Sequence, residues 1–97
     1  MIEYLHNAIR AVAGQEAEVQ AFFANSDGTF ISEGVAFMLH SPDGKMIAAV
    51  EGLFNTETGQ WKFIVPADAT KGLKGRYWYC FQHDGANLCF LQPFYLM

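Results

Sequence analysis

The stretch Arg76-Tyr77-Trp78-Tyr79-Cys80-Phe81-Gln82-His83-Asp84-Gly85-Ala86-Asn87-Leu88-Cys89-Phe90-Leu91-Gln92-Pro93-Phe94-Tyr95 decides the fold. Two aromatic-rich runs, of the kind that fits a pleated and half-buried surface, flank Asp84-Gly85, a pair suited to the positive φ angles of a tight type I′ turn. The stretch therefore predicts a closing β-hairpin. A two-residue turn sets Phe81 opposite Leu88, Cys80 opposite Cys89, Tyr79 opposite Phe90 and Tyr77 opposite Gln92. Because side chains alternate across a strand, Tyr77, Tyr79, Phe81, Leu88 and Phe90 share one face, and Trp78, Cys80, Cys89 and Leu91 share the other.

Both faces are apolar, yet a two-layer sandwich buries only one face of each sheet. The second face needs a cover: a neighbouring subunit, a docking partner, or the chain's own Met1–Leu5 folded over it. Trp78, Cys80, Cys89 and Leu91 are thus the candidate interface. In this register Cys80 and Cys89 occupy a non-hydrogen-bonded pair, close enough for a cross-strand disulfide. Two reduced thiols packed as small hydrophobes are the alternative, and the lack of an export signal favours it.

Working outward, turn signals recur at short intervals at Asp27-Gly28, Pro42-Asp43-Gly44-Lys45 and Glu57-Thr58-Gly59. The segments between them alternate in polarity. Ala17, Val19, Ala21 and Phe23 interleave with Glu16, Glu18, Gln20 and Phe22, which predicts a second strand after a first over Asn7–Ala13 that Gly14 ends. Helix is the competing reading of residues 8–24, but Gly14 inside it and Phe22-Phe23 favour strand. Val35–His40 and Met46–Glu51 predict a hairpin, Leu53–Asn55 a short strand, and Trp61–Val65 a strand that Pro66 stops. Ala67–Gly75 is too polar and short for more than one helical turn and reads as a crossover. With the closing pair this makes about seven antiparallel strands, an immunoglobulin-like sandwich occupying residues 1–97 as a single domain.

Composition narrows the function. Apolar residues make up 52% of the 97 and charged ones only 16%, against about 25% charged in average globular proteins. The surface must include apolar area, so a homo-oligomer or other structural subunits are the expected partners. Six scattered basic residues against ten acidic ones, net charge −4, argue against nucleic acid. No apolar run approaches the ~18 residues of a membrane span, and the acidic start Met1-Ile2-Glu3 is no secretory leader. The chain reads as made in the cytoplasm.

No chemistry-bearing motif stands out. His6, His40 and His83 occur singly, Glu16 and Glu18 fit a solvated strand face, and Asp27, Asp43 and Asp84 precede glycine for turn geometry. No phosphate loop, dinucleotide fingerprint or Gly-x-Ser-x-Gly is present. No catalytic residue, cofactor or metal is expected. Exposed aromatics such as Trp61, Tyr79 and Tyr95 leave an alternative open, a module that stacks a small ligand or glycan.

Leu73-Lys74-Gly75-Arg76-Tyr77 resembles the tyrosine corner of immunoglobulin-like domains, which implies that the Tyr77 hydroxyl bonds the upstream backbone. The inter-sheet disulfide of antibody domains has no counterpart, since Cys80 lies three residues after the Tyr and the second strand has no Cys. Phe37-Met38-Leu39 before Ser41-Pro42-Asp43-Gly44, then Thr58-Gly59-x-Trp61-x-Phe63-x-Val65-Pro66, then Leu73-x-Gly75-x-Tyr77, together resemble the immunoglobulin-like modules of phage baseplate and tail-associated proteins over about residues 35 to 82. That resemblance implies a non-enzymatic structural or assembly protein of phage or prophage origin that ends up in a virion.

Overall fold

A computed structural model describes residues 8–88 and 91–97. The elements follow one another as β1 (Ile9–Ala11), β2 (Ala17–Ala21), β3 (Val35–His40), β4 (Met46–Glu51), β5 (Leu53–Phe54), β6 (Trp61–Val65), α1 (Ala67–Thr70), β7 (Gly75–His83), β8 (Ala86–Asn87) and β9 (Gln92–Leu96). The strands form two sheets. The larger runs β1-β9-β7-β3-β4, with β8 pairing β7 at the hairpin tip, and the smaller runs β2-β6-β5. Together they are an immunoglobulin-like β-sandwich, as the spacing of turns predicts.

Alternation builds the core. On β3, Val35, Phe37 and Leu39 are buried while Ala36, Met38 and His40 are not; on β6, Trp61, Phe63 and Val65 are buried. Phe37 stacks on Tyr79 at 5.5 Å between ring centroids and meets Phe81 edge-on at 5.6 Å. Phe63 reaches across from the smaller sheet to Phe81 at 5.1 Å, and Phe23 to the same ring at 4.9 Å. Offset and edge-to-face contacts at these separations are the favoured aromatic geometries. Phe81 is therefore a ring on which both layers converge.

Gly52 is where the chain changes sheets, between β4 in one layer and β5 in the other. A Cβ there would lie 2.4 Å from Phe63 Cε2 and 2.5 Å from Trp61 Cε3. Only glycine lets those two buried rings close on the backbone. The Trp61 indole donates to the Ile31 carbonyl at 2.7 Å, so its polar edge is satisfied inside the core.

The first and last strands are joined as well. β1 runs parallel to β9, and Met97 N donates to Ala11 O while Ala13 N donates to Met97 O. The single helical turn of the crossover buries Thr70, whose hydroxyl accepts from Gly14 N at 3.0 Å and so joins it to the β1–β2 corner.

The closing hairpin departs from the expected pairing in one respect. Asp84 and Gly85 both have positive φ, 49° and 84°, and His83 faces Ala86 and Gln82 faces Asn87, as a two-residue turn requires. Farther from the turn, Tyr79 faces Gln92 rather than Phe90, and Tyr77 faces Phe94 rather than Gln92. The pairing thus shifts by two residues between the turn-proximal register of β8 and the register of β9. An offset of two leaves the side chains of β9 on their expected faces, because the strand period is two. Phe94 and Leu96 thus take the inward places on β9. Cys89 and Phe90, and with them the expected Cys80–Cys89 pairing, lie outside the described residues.

Candidate interaction face

Outward side chains of the larger sheet line up in rows that the strand registers define. The first row is Arg76, Tyr95 and Arg10; the next is His40, Trp78 and Pro93; then come Ala49, Met38 and Cys80; and last Glu51, Ala36, Gln82 and Asn87. The two middle rows are largely apolar or aromatic. Met46 and Ile47, at 56% and 37% exposure, extend the patch along the β4 edge, where a bulge separates the Leu39 and His40 pairings, and Leu91, which precedes β9, is 47% exposed.

Two arginines lie on aromatic rings here. The Arg76 guanidinium carbon is 4.9 Å from the Trp78 ring and that of Arg10 is 5.3 Å from the Tyr95 ring. Such stacking covers the ring and leaves the in-plane N–H groups of the guanidinium available to a partner. Cys80 is only 2% exposed although it points outward, for its Sγ lies 3.7 Å from His40 Nε2 and 3.9 Å from Asn87 Oδ1. A thiol beside an imidazole suggests a nucleophile, but a thiol this covered offers no substrate an approach.

Of the four expected interface residues, Trp78 lies on this face with accessible surface, Cys80 lies on it covered, Leu91 is exposed just before β9, and Cys89 is outside the described residues. Tyr77 occupies the expected inward position at the start of β7, 9% exposed. Among the described residues, however, no hydrogen bond joins its hydroxyl to the crossover backbone. Sequence reasoning overlooked the β3 and β4 share of the face: Ala36, Met38, His40, Ala49 and Ile47. The signal was there in Val35–His40, where both alternating sets are mostly apolar.

The outer face of the smaller sheet is different. Lys62 pairs with Glu18 at 3.8 Å, Gln20 donates to Glu18 at 2.6 Å, and Gln60 donates to Gln20 at 3.1 Å. These groups border an open depression of about 400 Å³ next to Leu53. The glycan alternative loses two of its rings, since Trp61 and Tyr79 are 3% and 0% exposed in the core. Tyr95 alone keeps partial access, beneath Arg10. Among the described residues no group of three His, Cys, Asp or Glu side chains could hold a metal ion, and no helix is long and apolar enough to cross a membrane.

Among the described residues, two turn carboxylates are electrostatically perturbed. Asp27 and Asp43 sit below the ordinary carboxylate range, Asp27 because the Thr29 hydroxyl and then its amide donate to it, Asp43 because the Ser41 hydroxyl and then the Lys45 amide do. Both are exposed Asx-type turn residues.

No protein-family model matches the chain, and no curated protein does. Among solved structures, the crystal structure of the Lin-41 filamin domain is similar, with a TM-score of 0.64 at 16% identity over 99% of this chain and 91% of that one. The likeness supports an immunoglobulin-like sandwich as the fold.

Proposed function

We propose that this chain is a non-enzymatic structural or assembly module that binds another protein subunit through the outer face of its larger sheet. One observation carries the reading: in their middle the central strands of that sheet, β3 and β7, are apolar on both sides, with Met38, Trp78 and Cys80 outward, although the sandwich has only one interior. Trp78, Met38, Pro93 and Tyr95 form a patch rimmed by arginine and amide groups, the composition that distinguishes protein interfaces from ordinary surface. A filamin-type sandwich suits such a role because its rigid strands hold a flat side-chain array without needing a ligand pocket. Assembly within a phage or prophage virion is the setting that the sequence resemblance implies, and it belongs to this proposal.

Site-specific photo-crosslinking in the producing cell tests it. A benzophenone side chain in place of Met38 should give a protein adduct, with another copy or with a different subunit, whereas the same group in place of Lys62 on the opposite sheet should give none. Absence of an adduct at Met38, or equal adducts at both positions, would sink the reading. Co-sedimentation of the tagged chain with purified particles tests the virion setting.

A further inference from the structure

We infer that the occupant of the outer face is a second copy of this chain, related by a two-fold axis that brings Arg10 of each copy onto Glu51 of the other. This rests on the outer-face reading and adds the identity of the partner.

The argument begins with charge. The protein has net charge −4, yet the outward strand positions of the larger sheet carry Arg10 and Arg76 and one carboxylate, Glu51. Among the described residues none of the three forms an ion pair; the pairs that exist are Lys62–Glu18 on the other sheet and His83–Asp84 at the hairpin turn. The two arginines rest on rings rather than on acids. The face therefore presents unmatched charge of both signs.

Their placement makes the face complementary to itself. Arg10 lies on β1, the first strand of the sheet, in the row of Arg76; Glu51 lies on β4, the last strand, in the row of Gln82. Strands are spaced about 4.8 Å and residues along a strand about 3.3 Å. Four strand steps and six residue steps then separate the two charges by roughly 19 Å and 20 Å along perpendicular directions. They occupy opposite corners of a nearly square patch and cannot reach one another within a chain.

A two-fold axis lying in the face, along the other diagonal, exchanges the two corners. It superposes Arg10 on the second copy's Glu51 twice over, as an isologous contact demands. The same operation turns the strands of one copy about 90° to those of the other, which is the orthogonal mode of sheet packing. The centre of the contact is then Trp78 set against the second copy's Met38 and His40, apolar surface on apolar surface. Arg76 falls over the second copy's Ala49 and Ile47, so no like charges meet.

Sedimentation equilibrium on the intact chain, from micromolar to several hundred micromolar, tests the pairing. The wild type should approach twice its 10.8 kDa mass. Arg10→Glu and Glu51→Arg should each weaken dimerisation about tenfold or more by setting like charges together, and the combined charge swap should restore it to within about threefold. Both side chains are exposed, and unchanged far-ultraviolet circular dichroism verifies folding of each variant. A 10.8 kDa mass at every concentration overturns the inference, as does a dimer indifferent to either single variant or a swap that fails to restore it. A monomer that still crosslinks from Met38 to a different protein would leave the outer-face reading standing and remove only the self-pairing. A monomer without any Met38 adduct would remove both.

Discussion

The two sheets of this sandwich share one core yet treat water oppositely. The three-stranded sheet presents Glu18, Gln20, Lys62 and Gln60, which bond one another and need nothing further. The larger sheet turns Trp78, Met38, Pro93 and Tyr95 outward, and its arginines find rings instead of carboxylates. Inward alternation is equally strict in both, so the fold accounts for one apolar face per sheet. Only the larger sheet has a second, and that surplus is what function has to explain.

The sharpest way to break the comparison is to attack what the sheets share. Phe37→Ala in the larger sheet and Phe63→Ala in the smaller each remove a fully buried ring, and each should cost about 3–5 kcal/mol. In a domain of this size that lowers Tm by well over 10 °C, at about 4–8 °C per kcal/mol. A thermal melt showing one loss under about 1 kcal/mol would mean that its sheet does not depend on the common core.

Gly52→Ala should come next, at roughly 1–3 kcal/mol, because the new methyl overpacks the Trp61 and Phe63 rings where the chain crosses between layers. Chemical denaturation measures it. A neutral result would show that those rings yield and that the crossing is loose.

The outer faces should then separate the sheets by behaviour more than by stability. Trp78→Thr removes the stacking of Arg76 on a half-buried ring and Lys62→Thr the exposed pair with Glu18, each contact worth about 1 kcal/mol or less. Trp78→Thr alone should abolish concentration-dependent association in light scattering. If Lys62→Thr does the same, the asymmetry drawn between the faces is wrong.

The smallest effect is expected on acidification. Asp27 and Asp43 are held below their unfolded carboxylate values, so the stabilisation they give is present above those values and is lost as pH falls through the lower, folded ones. Amide exchange at Thr29 and Lys45 should rise below about pH 4 while β3 and β7 remain protected in both layers. Asp27→Asn and Asp43→Asn should flatten that response. Loosening of the central strands over the same range would show that the turns are coupled to the core.

The strand positions were legible because period-two alternation and Gly-based turns are local properties, carried by residues next to one another in the chain. Trp61–Val65 followed by Pro66 needs no partner to be recognised as a strand with an end, and Asp84-Gly85 needs none to be recognised as a turn. The hairpin register was legible only near that turn. Farther along, Phe94 displaced Gln92 opposite Tyr77 because a buried site between Phe37 and Tyr79 selects an aromatic ring over an amide. Trp61 looked like an exposed platform, and its burial follows from the Ile31 carbonyl 30 residues away that accepts its N–H.

By itself, then, the sequence determined the class of fold, the faces on which side chains lie and the excess of apolar surface, since composition and alternation do not depend on what meets what. Tertiary structure alone decided that Arg10, Tyr95 and Arg76 form one row, that Met38 and His40 complete the patch begun by Trp78, and that Glu51 stands at the far corner. Those relations come from strand order, and strand order is set by which distant segments bury their apolar sides together. Neighbours in the chain carry no record of it.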